Sequence, residues 1–489
     1  MKKIIIAFVV LCICQPLFAQ NEIDALRYSW TGIGGTARYV GMGGAFGALG
    51  ADFSTLSTNP AGVAMYRRSE VTFTPGFVNT ITSSTYEGNR NSENNFVLNV
   101  NNLGLVATFE PEDVNWIKTS FAVGYNHQSN FNQHFAISGP NSTSSMADAY
   151  VNQANGTSSD ELVDRFPFFS GGAWETYIID PVEDVDGEYQ PAFNSSAPKE
   201  QILDVERSGS MGEVVLSFGG NFRDKLYMGM TVGIPRVRFE EERTYREIID
   251  DPTSPLRSFR HTNEYETSGS GINIKAGLIY RVSNWLRVGA AAHTPSWLTL
   301  TDVYSDEFAA HFEDEAGDPD DYRSPSGSFD YRLRTPARYM GSAAFILGKR
   351  GVISADYEYV DYSQAKLNPY DERVDDYEFE IENATIKDVY RGTHNVRVGV
   401  EWRVLPPLKI RGGVMYQQSP FESDVSSTNP DVIAISGGIG YRGTKMHINL
   451  SYTRQEVTSR YDLYDPELVN PVQNNRGQNQ LLATVGWFL

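Results

Sequence analysis

The residues best suited to catalysis or metal ligation are seven histidines, His127, His134, His261, His293, His311, His394 and His447. No pair has helical or zinc-ligand spacing, and no Ser/His/Asp or Cys/His set can be read from the order of the chain. Each reads as a polar residue of a lumen or loop, with haem ligation unsupported. Gly32-Ile33-Gly34-Gly35-Thr36-Ala37 formally fits a dinucleotide glycine fingerprint, but no strand precedes it and no βαβ unit surrounds it. Two acidic clusters, 183–188 and 313–321, fail the EF-hand spacing; Val182 stands in the first ligand place before Gly187. They read as solvated loops, with loose divalent-ion contact to loops or lipopolysaccharide as the alternative. The expectation is a protein that is not an enzyme, with no catalytic, cofactor-binding or metal residue and no bound cofactor.

Another set of charges has a pattern. Arg281, Arg287, Glu401, Arg403, Lys409 and Arg411 fall on the polar face of alternating segments, within a few residues of short turns. Leu226, Met228, Met230, Val232 and Ile234 alternate with Tyr227, Gly229, Thr231 and Gly233, and the same period of two recurs at 272–281, 396–403 and 446–453. About fourteen such segments follow Arg68, each about as long as a tilted membrane strand or longer. Their connections alternate in length. Short ones fall near 111–115, 223–224, 283–284, 348–351, 405–407 and 442–444; long ones span 80–94, 132–210, 250–262, 305–326, 367–392, 420–431 and 458–478. Short periplasmic turns and long extracellular loops are the arrangement of outer-membrane barrels. The expected fold is all-β, a transmembrane antiparallel β-barrel of about fourteen strands. A β-sandwich or solenoid fits less well, since neither linkers nor a fixed repeat is visible.

The segment before the strands is crowded with glycine from Gly32 to Gly50 and ends in the turn Asn59-Pro60-Ala61-Gly62. Glycine lets backbone turn and pack where side chains would collide. Residues 20–67 are therefore expected to form an N-terminal hatch inside the barrel, with 68–489 as wall and loops and a large insert at 132–210. The inward charges would line its socket, because a charge on the lipid face costs about 2–4 kcal/mol at mid-membrane. A flexible glycine linker is the alternative.

Composition agrees with export to an envelope. Residues 1–19 read as a signal peptide, with Lys2 and Lys3, the apolar run 4–13, and Leu17-Phe18-Ala19. Cys12 and Cys14, the two cysteines, lie within it. Mean hydropathy of −0.36 and the lack of a later apolar run of about 18 residues exclude helical spans, but a barrel averages its two faces. Aromatic content of 12%, with 27 tyrosines, is stock for interfacial girdles. The net charge of −20 excludes nucleic acid as a partner.

The order of export signal, glycine-rich stretch, Asn59-Pro60-Ala61-Gly62 and about fourteen strands resembles the FadL family of outer-membrane transporters for hydrophobic compounds, which includes the toluene channels. Leu333 to Gly341, Arg397 to Arg403, Leu408 to Val414 and Ser419-Pro420 are similar to family segments. The resemblance implies localisation in the outer membrane of a Gram-negative-type bacterium and a hatch seated by Asn59, Pro60 and Ala61. It further implies passive transport of long-chain fatty acids or similar apolar molecules, captured at extracellular loops and released through a kinked third strand near Gly124. Phe166, Phe168, Phe169, Trp174 and Tyr177 of the insert are available for an apolar capture surface. The implied partners are membrane lipid and lipopolysaccharide, a hydrophobic substrate and the barrel-assembly machinery, for a monomer. The final Trp487-Phe488-Leu489 places the terminal aromatic next to last. The alternative function is a non-transporting barrel that serves as a structural or docking subunit of a secretion or surface-attachment complex.

Overall fold

A computed structural model describes residues 22–313, 319–371, 377–422 and 431–489. The expected signal peptide and the centre of the second acidic cluster lie outside these residues. Fourteen antiparallel strands close into a barrel. In chain order the wall is β1 (Glu70–Tyr86), β2 (Asn89–Phe109), β3 (Trp116–Asn130, continued by Gln133–Asn141), β4 (Lys199–Phe222), β5 (Leu226–Ile249) and β6 (Leu256–Arg281). Next come β7 (Leu286–His293 with Trp297–Phe312), β8 (Gly327–Arg334 with Arg338–Leu347), β9 (Gly351–Asp361) and β10 (Gly392–Arg403). The last four are β11 (Leu408–Gln417), β12 (Val432–Arg442), β13 (Met446–Tyr461) and β14 (Val472–Phe488). Pairing of β1 with β14, from Glu70/Phe488 to Thr85/Gln473, removes the free edge that lipid would not tolerate.

The period of two has its cause in the two sides of this wall. Phe121, Phe218, Met230, Leu278, Ile439 and Leu450 are exposed on the outside, where lipid tails would cover them. Trp285, Tyr441 and Trp487 stand exposed at the short-turn rim and Trp297, Tyr339 and Tyr357 nearer the other, positions suited to rings that are apolar in body and polar at the tip. No helix among the described residues is long and apolar enough to cross a membrane.

The strands reach further beyond the membrane than the hydropathy pattern suggests. The expected loop at 80–94 is instead a continuous hairpin, closed by Glu87 and Gly88, both at positive φ. The insert narrows from 132–210 to 142–198, because β3 resumes at Gln133 and pairs with the outer half of β4. It folds as α-helices Met146–Ala154, Ser159–Arg165 and Ser170–Glu175 with a small hairpin. Residues 250–262 are likewise mostly ladder, and 367–392 contains a helix at Glu380–Val389.

Candidate functional site

The glycine-rich segment is folded inside the short-turn end of the barrel. A single helical turn, Ala37–Val40, is capped by Thr36, whose hydroxyl also donates to Asp52 at 2.8 Å. Two 3-10 turns, Phe53–Ser57 and Pro60–Met65, follow. Asn59 organises the second: its side-chain oxygen accepts from Ala61 N–H at 3.1 Å, and its amide donates to Gly47 O at 2.6 Å and to Leu278 O of β6 at 3.2 Å. Pro60 occupies the first turn, where a missing N–H costs nothing. Gly62 lies against Thr55 and donates its N–H to Asn59 O, so Asn59, Pro60, Ala61 and Gly62 are all buried at one junction between hatch and wall.

The wall meets this turn with bare backbone. Gly219, Gly229, Gly277 and Gly289 sit on β4 to β7, and a Cβ on any of them would collide with Val63, Pro60, Asn59 or Gly47 respectively. Across the lumen, Gly399 and Gly413 do the same for Met42 and Gly43, while Gly104 and Gly124 lie flat beneath the Phe53 ring. Replacing Asn59 and Pro60 together by alanine removes the amide clamp. Ion leak through planar bilayers is expected to rise while heat-modifiable barrel mobility stays unchanged; an unaltered leak would contradict the seating role.

The inward charges divide by height. Glu401 accepts from Arg38 of the hatch at 3.1 Å, from Lys409 at 2.6 Å and from Arg411 at 2.8 Å. Arg38 also donates to Ala51 O at 2.9 Å, and Arg287 to Leu49 O at 3.4 Å. Arg281 instead pairs with Asp224 at the rim, 2.6 Å away, and Arg403 is exposed there. Burial works against the Arg38 charge, yet Glu401 and Asp52 hold its pKa above the ordinary arginine value. Burial pushes the Tyr39 phenol up to about 12, with Arg397 pulling the other way.

A second polar layer lies deeper. Lys275 pairs with Glu213, which also accepts from Ser57 and Asn273 at 2.9 Å each. Asp356 accepts the Phe46 and Gly47 N–H groups at 2.9 Å, and Arg397 donates to Glu358 at 3.2 Å. Between this layer and the hatch is a cavity of about 90 Å³ bordered by Gly32, Gly34, His127, Asn273 and Arg397. His127 Nε2, Asn273 Oδ1 and Arg397 Nη1 are buried there without hydrogen-bond partners among the described residues. A polar pocket of this kind suits water or a polar group of a ligand. Glu213, Glu358 and Arg397 were legible only as inward positions of alternating strands; Arg38 carried no periodic signal.

Above the polar layers, the chain fills its own lumen. Tyr28 is buried beside Phe239, Leu298 and Tyr331, and Trp30 stacks on Tyr362 with ring centres 5.6 Å apart. The insert then covers the mouth with a separate apolar core. Here the expected capture surface is corrected: Phe169 is buried in that core, with Phe166 and Trp174 packed against it. Phe168 is half-buried against Tyr304, and Tyr177 alone of the five is exposed. An insert of this length buries its aromatic rings to form its own core.

The wall has a seam. β2 and β3 are hydrogen-bonded from Asn102/Asn126 to Phe109/Thr119, and beyond Asn102 no ladder joins them among the described residues. The β3–β4 register slips between His127 and Ser129, and Gln128 O accepts the Gly32 N–H of the hatch at 3.0 Å. Gly124 stands in regular ladder three residues earlier, opposite Gly104 and Val215.

A closed barrel plugged from its short-turn end by its own N-terminal segment defines a class of outer-membrane transport barrels. Residues 222–461 match the family model described as outer membrane protein transport protein (OMPP1/FadL/TodX). That part of the chain belongs to this FadL/TodX family, a family of transport channels rather than enzymes. The fold is similar to that of a FadL homologue from Pseudomonas aeruginosa, with TM-score 0.56 and 14% identity over 94% of this chain and 99% of that one. It is also similar to the toluene transporter TodX of Pseudomonas putida, with TM-score 0.53 and 13% identity over 94% and 99%. A search of curated protein sequences returns no match.

Proposed function

We propose that the protein lies in the outer membrane as a monomer and passively carries long-chain fatty acid or a similarly apolar molecule from the outside, releasing it sideways into the bilayer. The seam between β2 and β3 carries this reading. Among the described residues the outer part of β2 has no backbone ladder to β3 there, and the hatch segment at Gly32 touches β3 beside it from inside. Sideways release suits an oily cargo, because leaving into lipid avoids rehydrating apolar surface at about 25 cal/mol per Å². The partly exposed rings Phe168 and Tyr177 at the mouth support first contact with cargo. The polar cavity beside His127 and Arg397 suits the polar end of an amphipathic molecule.

Uptake of labelled fatty acids and aromatic hydrocarbons into proteoliposomes tests the reading. Deleting Gln128, the residue at the β3–β4 register slip, is expected to straighten β3 where it borders the seam. Uptake is expected to fall at least tenfold while barrel heat-modifiability persists. If the parent protein moves none of these compounds, and its loss from cells instead abolishes surface display of other proteins, the docking-subunit reading replaces this one.

A further inference from the structure

We infer that His134, Asp204 and Glu206 form a site for a divalent transition-metal ion on the outward face of the wall, beside the seam. The β3 extension pairs with β4 so that His134 lies opposite Glu206 and Ala136 opposite Asp204. All three side chains therefore leave one face of one ladder, and their ligand atoms lie within 4.8 Å of one another. Strand backbone rather than loop sets these positions. One imidazole and two carboxylates suit Zn²⁺, Ni²⁺ or Cu²⁺, whereas Ca²⁺ and Mg²⁺ favour sites made wholly of oxygen. Relative side-chain exposures of 24% at His134 and 46% at Asp204 leave the site open to ions from outside and leave coordination positions for water.

An independent observation concerns the other side of the ring. His134 Nε2 is 3.0 Å from Asp204 Oδ2, while Nδ1 faces Glu93 Oε2 of β2 at 3.8 Å. Metal-binding histidines regularly donate their second N–H to a carboxylate, which fixes the tautomer and the ring plane. Here that carboxylate comes from the strand across the seam. Electrostatics favour a cation as well: Glu206 stands opposite Glu242, and Glu242 opposite Glu264, a row of like charges on neighbouring strands.

The site has a mechanical consequence. Beyond Asn102 the β1–β2 hairpin is held to the β3 extension by side chains, with Asn91 donating to Ser138 at 3.0 Å and Gln133 to Thr82 at 3.2 Å. An ion on Nε2 makes Nδ1–H a stronger donor to Glu93, so occupancy of the site tightens the hairpin against the seam.

The test uses the whole barrel in detergent, prepared without a polyhistidine tag and stripped with chelator. Co²⁺ is titrated by visible absorption and Zn²⁺ by calorimetry. One saturable site is expected, weakened at least tenfold by His134→Ala and by Asp204→Asn, with Ca²⁺ a poor competitor. Zn²⁺ should also slow amide exchange over 89–101 in the parent but not in Glu93→Gln, whose metal affinity falls less than that of His134→Ala. No saturable binding, binding indifferent to His134→Ala, or equal preference for Ca²⁺ would overturn the site and leave an ordinary His–Asp pair. Intact binding with hairpin exchange insensitive to Zn²⁺ would overturn the coupling across the seam.

Discussion

Replacing Gly277 by leucine is expected to unseat the hatch while leaving the barrel closed. A Cβ at this position falls on the Asn59 side-chain oxygen, and one on the neighbouring Gly229 would fall on the Pro60 carbonyl. Something must yield. Gly277 is held on both sides by ladder, opposite Gly229 of β5 and Ala291 of β7, whereas Asn59 is held by two hydrogen bonds from its side-chain amide and by its turn. The hatch therefore moves first. Overpacking costs about 1–3 kcal/mol, which corresponds to roughly a fivefold to 150-fold rise in unseated hatches. Single-channel recording should show that rise as open events. Gly341 is the matched control, a wall glycine at which a Cβ meets nothing within 4 Å. Gly341→Leu should conduct like the parent. Equal leak from both variants would show that leucine disturbs the wall in general and that the glycine seat has no special role.

The same glycines show where a sequence stops being informative. The strands were readable because lipid imposes an unbroken apolar face, as at Met230 and Leu278, against a mixed inner one. Beyond the membrane both faces meet water, so Thr80 to Asn94 lost the alternation and read as a loop although its backbone stays paired. Gly229, Gly277 and Gly399 could be assigned to the inner face, but why they lack side chains depends on Pro60, Asn59 and Met42 approaching from far away in the chain. Asn59-Pro60-Ala61-Gly62 was legible as a turn because its chemistry is local. The insert shows the converse difficulty: Phe166 to Trp174 reads equally well as an exposed apolar surface or as a core, and only the packing of Phe169 against Tyr150, with ring centres 4.6 Å apart, decides between them. Arg38 was unreadable for another reason. A lone cation among glycines has no periodic neighbours, and its partner Glu401 lies on the opposite wall of the sequence.

That partnership gives the largest expected loss of stability. Glu401 is a nearly buried carboxylate ringed by Arg38, Lys409 and Arg411, and it faces Arg411 directly across the β10–β11 ladder. Glu401→Gln keeps the shape and removes the only negative charge that these three cations share in direct ion pairs among the described residues. Breaking a buried pair in this way costs about 3–5 kcal/mol, because the remaining charges stay desolvated and uncompensated. The wall residues Lys409 and Arg411 cannot leave, being fixed by ladder, so the strain is relieved most easily by withdrawing Arg38 and with it the hatch. Glu401→Gln should therefore lower the thermal midpoint of the hatch, followed by protease sensitivity at 36–66, more than that of the barrel. Arg38→Gln alone should loosen the hatch less, since Glu401 retains two cations. A double-mutant cycle separates coupling from independent damage. If the carboxylate acts through Arg38, Arg38→Gln added to Glu401→Gln should restore part of the lost stability, because one of three repelling cations is gone. Simple additivity of the two losses would mean that Glu401 serves the wall alone and that contacts such as Arg287 to the Leu49 carbonyl hold the hatch without it.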